Sequence, residues 1–372
     1  MAQCELVWAL PDGGLSQFAG ISGAPSATAS PAPPNSKYAL QVDTDEHCYL
    51  VNHGGGGRLL PSAGSSPYKF TFLIRLTDTT PSAQFILCGV RNSGGSTDAY
   101  FNIALELRTD GDLEVRSNDN STVDATISAP FTANTWHEIS IWYQESATGN
   151  AVVTIDGNKT STTSKDYLAS TGTARRWLQL GEGAVTSDVT VYAAEFTYWS
   201  DVTNDTDVDD AYDVFAWRPG GTPTGTGTAL DAGSWANTGE DPLSESNSAT
   251  YNAGTNKGFA EFDSTGGGPA ADASTPSGTY VAGTWWQWSE RGNGGGSTLN
   301  FLYGNSSHTT STIQSTAASL GSSPAQNWVT SDSTSIMPTS SQDAACGMEQ
   351  SGARDYIIHD QYFCLAVEQR DI

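Results

Sequence analysis

The chain has 372 residues, enough for two domains, and carries a formal charge of −25 from 16 basic and 41 acidic side chains. Neither half offers the cationic surface that phosphates demand, which excludes nucleic-acid binding. No apolar run approaches a membrane span, so insertion is not expected, and 11 Trp supply bulk for packed cores rather than a disordered chain.

Residues 1–37 read as an extended arm. An isolated apolar patch, Leu6-Val7-Trp8-Ala9-Leu10, is followed by Gly-rich and then Pro/Ala/Ser-rich sequence. The opening residues have no basic stretch and Pro11-Asp12-Gly13-Gly14 cuts the apolar run short, so no secretion signal is expected. A patch of this size cannot form its own core, so Leu6, Val7, Trp8 and Leu10 are expected to attach the chain to something. The expected partner is a neighbouring subunit or a particle surface, with docking on the chain's own sandwich as the rival.

From Tyr38 the pattern changes to short alternating strands separated by Gly, Asn, Asp and Ser clusters. Predicted strands cover 38–42, 48–51, 70–76, 84–88, 101–107, 113–115, 136–143, 151–155, 177–181 and 189–199. Alternation places Phe72, Ile74, Ile139, Ile141, Val153 and Ile155 in one core. The strand ending at Ile155 closes on Asp156-Gly157, a dipeptide suited to a tight turn with positive φ. Pro219-Gly220-Gly221-Thr222-Pro223 opens a linker over 219–230, and residues 231–372 read as a second β-rich module. Its strands are expected near 249–251, 258–262, 284–288, 298–303 and 355–367. The fold class is therefore all-β, an antiparallel sandwich followed by a smaller one.

The five cysteines, Cys4, Cys48, Cys88, Cys346 and Cys364, lack paired short spacing and are read as buried thiols. Chemistry is thinly marked. Glu106 and Glu114 could meet across a hairpin, but alternation sends polar strand residues outward, and both are read, with Glu138, as solvated. No Ser elbow or tight His spacing is present, and His137 is read as flanking the sheet. No catalytic residue is therefore assigned. Trp285-Trp286-Gln287-Trp288 is the sharpest binding candidate. In a strand, Trp286 and Trp288 share a face and Trp285 takes the other. These indoles either stack on sugar rings or pack a core or subunit interface.

The Phe70-Thr71-Phe72 strand leading to Arg75, the Asp110-Gly111-Asp112-Leu113 turn, the Trp136-to-Gly157 hairpin and the Leu178-Gln179-Leu180-Gly181 strand together resemble the laminin-G/concanavalin-A-like superfamily. The resemblance covers roughly Tyr38 to Trp217, within a domain expected at 38–218. It implies a jelly-roll sandwich that mostly binds, and a short helix near Asp205 to Tyr212. It also implies calcium at a rim, for which Asp43, Asp45 and Glu46 are the candidates, although their spacing is that of an ordinary polar turn. Asp205, Asp207, Asp209 and Asp210 are read instead as the acidic first turn of a helix. No other cofactor is expected.

In the C-terminal half, Trp235 with Gly239-Glu240, the Arg291-Gly292-Asn293-Gly294 turn and Leu302-Tyr303-Gly304-Asn305 are similar to β-sandwich modules of tailed-bacteriophage structural proteins. That resemblance implies a non-enzymatic virion protein: a capsid decoration protein, a head fibre or a tail-associated adhesin. Its partners would be other virion proteins, copies of itself and cell-surface glycans. The alternative is a secreted polysaccharide-binding or polysaccharide-cleaving protein.

Overall fold

The computed structural model describes residues 2–10, 18–43, 46–50, 67–91, 101–117, 122–168, 177–181, 188–217, 219–221, 249–252, 258–262, 279–291, 299–305, 311–314, 325–332, 344–350 and 355–368. The chain forms two units, each assembled from three stretches of sequence. The first takes Met1–Glu5, Gly14–Pro33 and Ala39–Tyr212; the second takes Leu6–Gly13, Pro34–Tyr38 and Asp213–Ile372. No helix among the described residues is long and apolar enough to cross a membrane.

Among the described residues, fifteen strands precede a short 3-10 turn at Asp205–Asp207. They are β1 (Gln3–Trp8), β2 (Phe18–Ser22), β3 (Ser26–Thr28), β4 (Ala39–Val42) and β5 (His47–Leu50). Next come β6 (Tyr68–Leu76), β7 (Phe85–Arg91), β8 (Phe101–Leu107), β9 (Leu113–Ser117) and β10 (Thr122–Ile127). The series closes with β11 (Trp136–Tyr143), β12 (Gly149–Ile155), β13 (Asn158–Lys165), β14 (Trp177–Leu180) and β15 (Val191–Ser200).

An eight-stranded sheet runs β13-β12-β11-β6-β15-β4-β3, with β1 also on β15, and a seven-stranded sheet runs β10-β9-β8-β7-β14-β5-β2. Neighbours such as β11 and β6, β6 and β15, and β8 and β9 are antiparallel. The inward positions form the sandwich core as alternation requires. Phe72, Ile74, Ile139, Ile141, Val153 and Ile155 are all buried, and so are Ile103, Leu105, Leu107 and Val115 of the other sheet. Asp156 (φ 47) and Gly157 (φ 76) make the two-residue turn between β12 and β13, the positive-φ hairpin that Asp-Gly favours.

The second unit holds β16 (Tyr212–Trp217), β17 (Pro219–Gly221), β18 (Ala249–Asn252), β19 (Gly258–Phe262) and β20 (Tyr280–Arg291). It continues with β21 (Leu299–Asn305), β22 (Ser311–Gln314), β23 (Ala325–Ser331), β24 (Ala344–Gln350) and β25 (Asp355–Glu368). Two five-stranded sheets result: β16-β25-β20-β23 with β18 on β25, and β17-β19-β24-β21-β22. The start of the expected linker, Pro219–Gly221, is thus an edge strand paired to β19, while residues 222–230 lie outside the described residues.

The N-terminal arm is not a separate element. Its Gly- and Pro-rich part supplies β2 and β3, each at one edge of a first-unit sheet. Its apolar patch belongs to the second unit. Leu6, Val7, Trp8 and Leu10 are at most 1% exposed. The Val7 N–H donates to Thr284 Oγ1 (2.8 Å), the Trp286 indole N–H donates to the Val7 carbonyl (3.1 Å), and the Ala9 N–H points at Cys364 Sγ (3.3 Å). The expectation of an outward attachment arm is therefore corrected. The patch is consumed by the chain itself, because Trp286, Thr284 and Cys364 leave a sheet face that needs an apolar cover.

Cys4, Cys48, Cys88 and Cys364 are buried thiols. Burial pushes the thiols of Cys48, Cys88 and Cys364, and the Tyr167 phenol, well above their ordinary values. Unfolded thiols ionise near 9.0, so above that pH the unfolded chain sheds protons that the folded chain keeps. The folding equilibrium then falls roughly tenfold per pH unit for each thiol. Lys69 works the other way: burial holds its amine below 10.5, so as pH rises from its folded value towards 10.5 it offsets one thiol. The net expectation is a denaturant midpoint that falls steeply above pH 9. An unchanged midpoint at pH 10 would show that the thiols reach solvent in the folded state.

Candidate functional site

The most coherent part-exposed polar and aromatic feature lies on the outer face of the eight-stranded sheet. Register places Trp136 opposite Arg75, Arg75 opposite Tyr192, Tyr192 opposite Gln41 and Gln41 opposite Ser26. These five side chains form one row across β11, β6, β15, β4 and β3, and all are partly or fully exposed. The neighbouring positions Ile74, Ala193 and Leu40 point to the other side of the sheet and are fully buried.

The row is held in place by its surroundings. The Trp136 indole N–H donates to the Ala32 carbonyl (3.1 Å), fixing the ring. Arg75 Nη2 donates to Asn134 Oδ1 (3.2 Å), and the guanidinium carbon lies 6.0 Å from the centre of the Tyr192 ring. Asn134 is itself locked, at φ 62, by its N–H on the Leu76 carbonyl (2.7 Å) and its amide on Thr77 O (3.3 Å). Gln41 Nε2 donates to Asp43 Oδ2 (2.8 Å), which leaves its amide oxygen directed by that bond.

Asp43 and Glu46, two of the calcium candidates, already serve as acceptors. The Asp43 carboxylate takes Gln41 and the Thr190 hydroxyl (2.6 Å); Glu46 takes the N–H groups of Ala24 (2.8 Å) and Asp43 (2.9 Å). Asp45 lies outside the described residues. Among the described residues no group of three or more His, Cys, Asp or Glu side chains has the arrangement to hold a metal ion. The other acidic turn is likewise bound internally. Asn204 and Asp207 form a capping box, and Lys69 and Lys159 hold Asp205 and Asp210.

The sugar-stacking reading of the tryptophan cluster is corrected. Trp285 and Trp286 are 1% and 0% exposed and lie on opposite faces of β20. Trp286 stacks on Tyr362 (5.8 Å, 13°) beneath the Leu6–Leu10 segment, and the Trp285 N–H donates to Gln361 Oε1 (3.1 Å). Trp288 is half-buried. Both faces of this strand are covered, so the indoles act as core.

Glu106 and Glu114, read from sequence as solvated, are instead 4% and 6% exposed. They stand directly opposite each other on β8 and β9 and share one guanidinium. Arg116 Nε lies 2.9 Å from Glu106 Oε2, and Arg116 Nη2 lies 2.6 Å from Glu114 Oε2. Arg108 holds the other Glu114 oxygen (2.6 Å), and that hydrogen bond raises the Arg108 pKa. A glycosidase needs one carboxyl free to donate a proton and the other free to attack or activate water. Here both are occupied as guanidinium clamps.

His137 is committed too. Its Nε2 lies 2.9 Å from the Thr132 nitrogen and 3.2 Å from the Thr132 oxygen, and its Nδ1 lies 2.6 Å from Asp156 Oδ2. Asp156 Oδ1 accepts the Glu138 N–H (2.9 Å), tying the hairpin turn to β11. Neither ring nitrogen is left to bind a metal or act as a base.

No family model and no curated protein matches the chain. Solved structures similar to it include lectin II from Ulex europaeus, with 11% identity over 53% of this chain and 99% of that one, at a TM-score of 0.37. The endo-beta-1,4-glucuronan lyase from the fungus Trichoderma reesei is 14% identical over 56% of this chain and 98% of that one, at 0.37. The alginate lyase vAL-1 from Chlorella virus is 11% identical over 49% and 91%, at 0.35. Likenesses of this size supply no argument about function. The all-β sandwich stands on the strand order and core described above.

Proposed function

We propose that the protein binds carbohydrate without transforming it. The observation that carries this reading is the Trp136–Arg75–Tyr192–Gln41–Ser26 row. A pyranose presents an apolar C–H face and a rim of hydroxyls. Flat aromatic and guanidinium surfaces suit the first, and amide and hydroxyl groups suit the second. The occupied state of Glu106, Glu114 and His137 supports binding rather than cleavage. Placement on a bacteriophage particle rests on the C-terminal resemblance alone, since the segment expected to anchor it is buried in the chain's own second unit.

The test is binding of the full chain to an array of neutral and acidic glycans, with product release measured in parallel. Binding without product is expected, and Trp136→Ala should weaken it about tenfold if one ring contact of about 1.4 kcal/mol is lost. Binding to nothing on the array would sink the proposal. Released oligosaccharide would favour the polysaccharide-cleaving alternative instead.

A further inference from the structure

We infer that the ligand of the row is a neutral oligosaccharide lying across the strands, which rests on the carbohydrate reading above. The first argument is length and direction. The five residues occupy one register position on five adjacent strands, so the row runs perpendicular to β6. Four inter-strand spacings make it about 19 Å long. A single sugar would use one or two of these side chains; a short linear chain of rings is needed to use all of them.

The second argument is charge. Arg75 is the sole cation of the row; its Nη2 is already given to Asn134 and its guanidinium carbon lies 6.0 Å from the centre of the Tyr192 ring. With Nη2 engaged, one arm of the fork that would meet a carboxylate is already in use. Glu138 lies on the same face, two residues along β11 from Trp136 and opposite Leu73. The chain as a whole carries −25. A polyanionic glycan would approach against that field and meet a single cation along the row to repay its desolvation.

The third argument is preorganisation. Trp136, Arg75 and Gln41 are each fixed by a hydrogen bond to Ala32, Asn134 and Asp43, so little side-chain freedom is lost when a ligand arrives. Rings already held in position suit a ligand that offers many weak contacts.

The experiment titrates the full chain by calorimetry with neutral gluco-, galacto- and manno-oligosaccharides of increasing length, and with galacturonate oligomers of matched length. Affinity for a neutral series should rise with each added ring until the row is filled, at about 19 Å of ligand, and then level. Galacturonates should bind at least roughly tenfold more weakly at low salt, with the gap narrowing as salt screens the field. Trp136→Ala and Tyr192→Ala should each weaken the neutral series roughly three- to tenfold. Their melting temperatures, measured alongside, should match the parent. Equal or tighter galacturonate binding, affinity independent of length, or neutral binding unchanged in both variants would overturn this inference while leaving carbohydrate binding standing. Failure of every glycan to bind the parent chain would remove the underlying reading as well.

Discussion

Deleting residues 2–10 should unfold the C-terminal unit, although these residues lie at the far end of the sequence from it. The segment covers the β20–β25 face with side chains that are at most 1% exposed at Leu6, Val7, Trp8 and Leu10. Removing it would expose Trp286, strip the Trp286 N–H of its acceptor, and leave Thr284 without the Val7 N–H. Trp8→Ala alone is expected to cost about 3–5 kcal/mol, the usual range for truncating a fully buried large aromatic. A domain's entire stability is about 5–15 kcal/mol, so losing the whole segment should exceed what the second unit can absorb. Limited proteolysis with mass spectrometry reads this directly. The truncated chain should be cut rapidly within 249–368, whereas equal resistance in the two proteins would show that the segment is dispensable.

Lys69→Met should be the most damaging single change of charge in the first unit, costing about 3–5 kcal/mol as the loss of one partner of a buried ion pair. The Lys69 side chain is 0% exposed, on the same outer sheet face as the row. Its ammonium donates to the carbonyls of Asp205 (2.5 Å) and Val208 (2.6 Å) and lies 2.8 Å from Asp210 Oδ1. Burial lowers its pKa, and the hydrogen bond it donates to Asp210 pulls it back up. Methionine has the length to fill the space but leaves two carbonyls and one oxygen of the Asp210 carboxylate without the Lys69 donor. The loop from Asp201 to Asp210 would lose its central post, while the Trp142 indole on Val202 O, the Val202 N–H on Pro67 O, the Asp209 N–H on the Tyr212 hydroxyl and the Lys159 contacts remain. Lys159→Met is the control. That side chain is 39% exposed, and its loss should cost no more than about 1 kcal/mol. Equal melting temperatures for the two variants would refute the argument.

Much of the first sandwich was legible because its strands alternate. β8 and β11 have the bounds expected from sequence, and the Asp156-Gly157 turn falls where the dipeptide stands. Strands without apolar alternation were not legible. β13, Asn158–Lys165, has no large apolar residue and exists because β12 offers it a hydrogen-bonding edge. The same holds for β2 and β3, which the Gly- and Pro-rich composition disguised as linker. Alternation also misled at Glu106 and Glu114. It sends polar residues outward in general, but Arg116 and Arg108 neutralise this pair well enough to keep it shielded. Every member of the candidate row except Ser26 was readable as a strand residue, and Trp136 and Arg75 were noted. Their alignment with Tyr192 and Gln41 depends on the long-range order β11-β6-β15-β4, which no local pattern encodes.

The burial of Leu6–Leu10 in the second unit also sets an order of events during synthesis. Val7 and Thr284 are 277 positions apart, and Ala9 and Cys364 are 355 apart. The apolar segment therefore meets its partners only after some 355 further residues have been made. At about 5–20 residues per second, that wait is roughly 20–70 s. Throughout it, a stretch containing Leu6, Val7, Trp8 and Leu10 has no cover from its own unit, while the first sandwich already has most of its sequence and can close. Efficient production should thus respond to whatever shields a short hydrophobic segment in the nascent state. A chaperone that holds such segments would raise the yield of folded protein more than one acting on the finished chain.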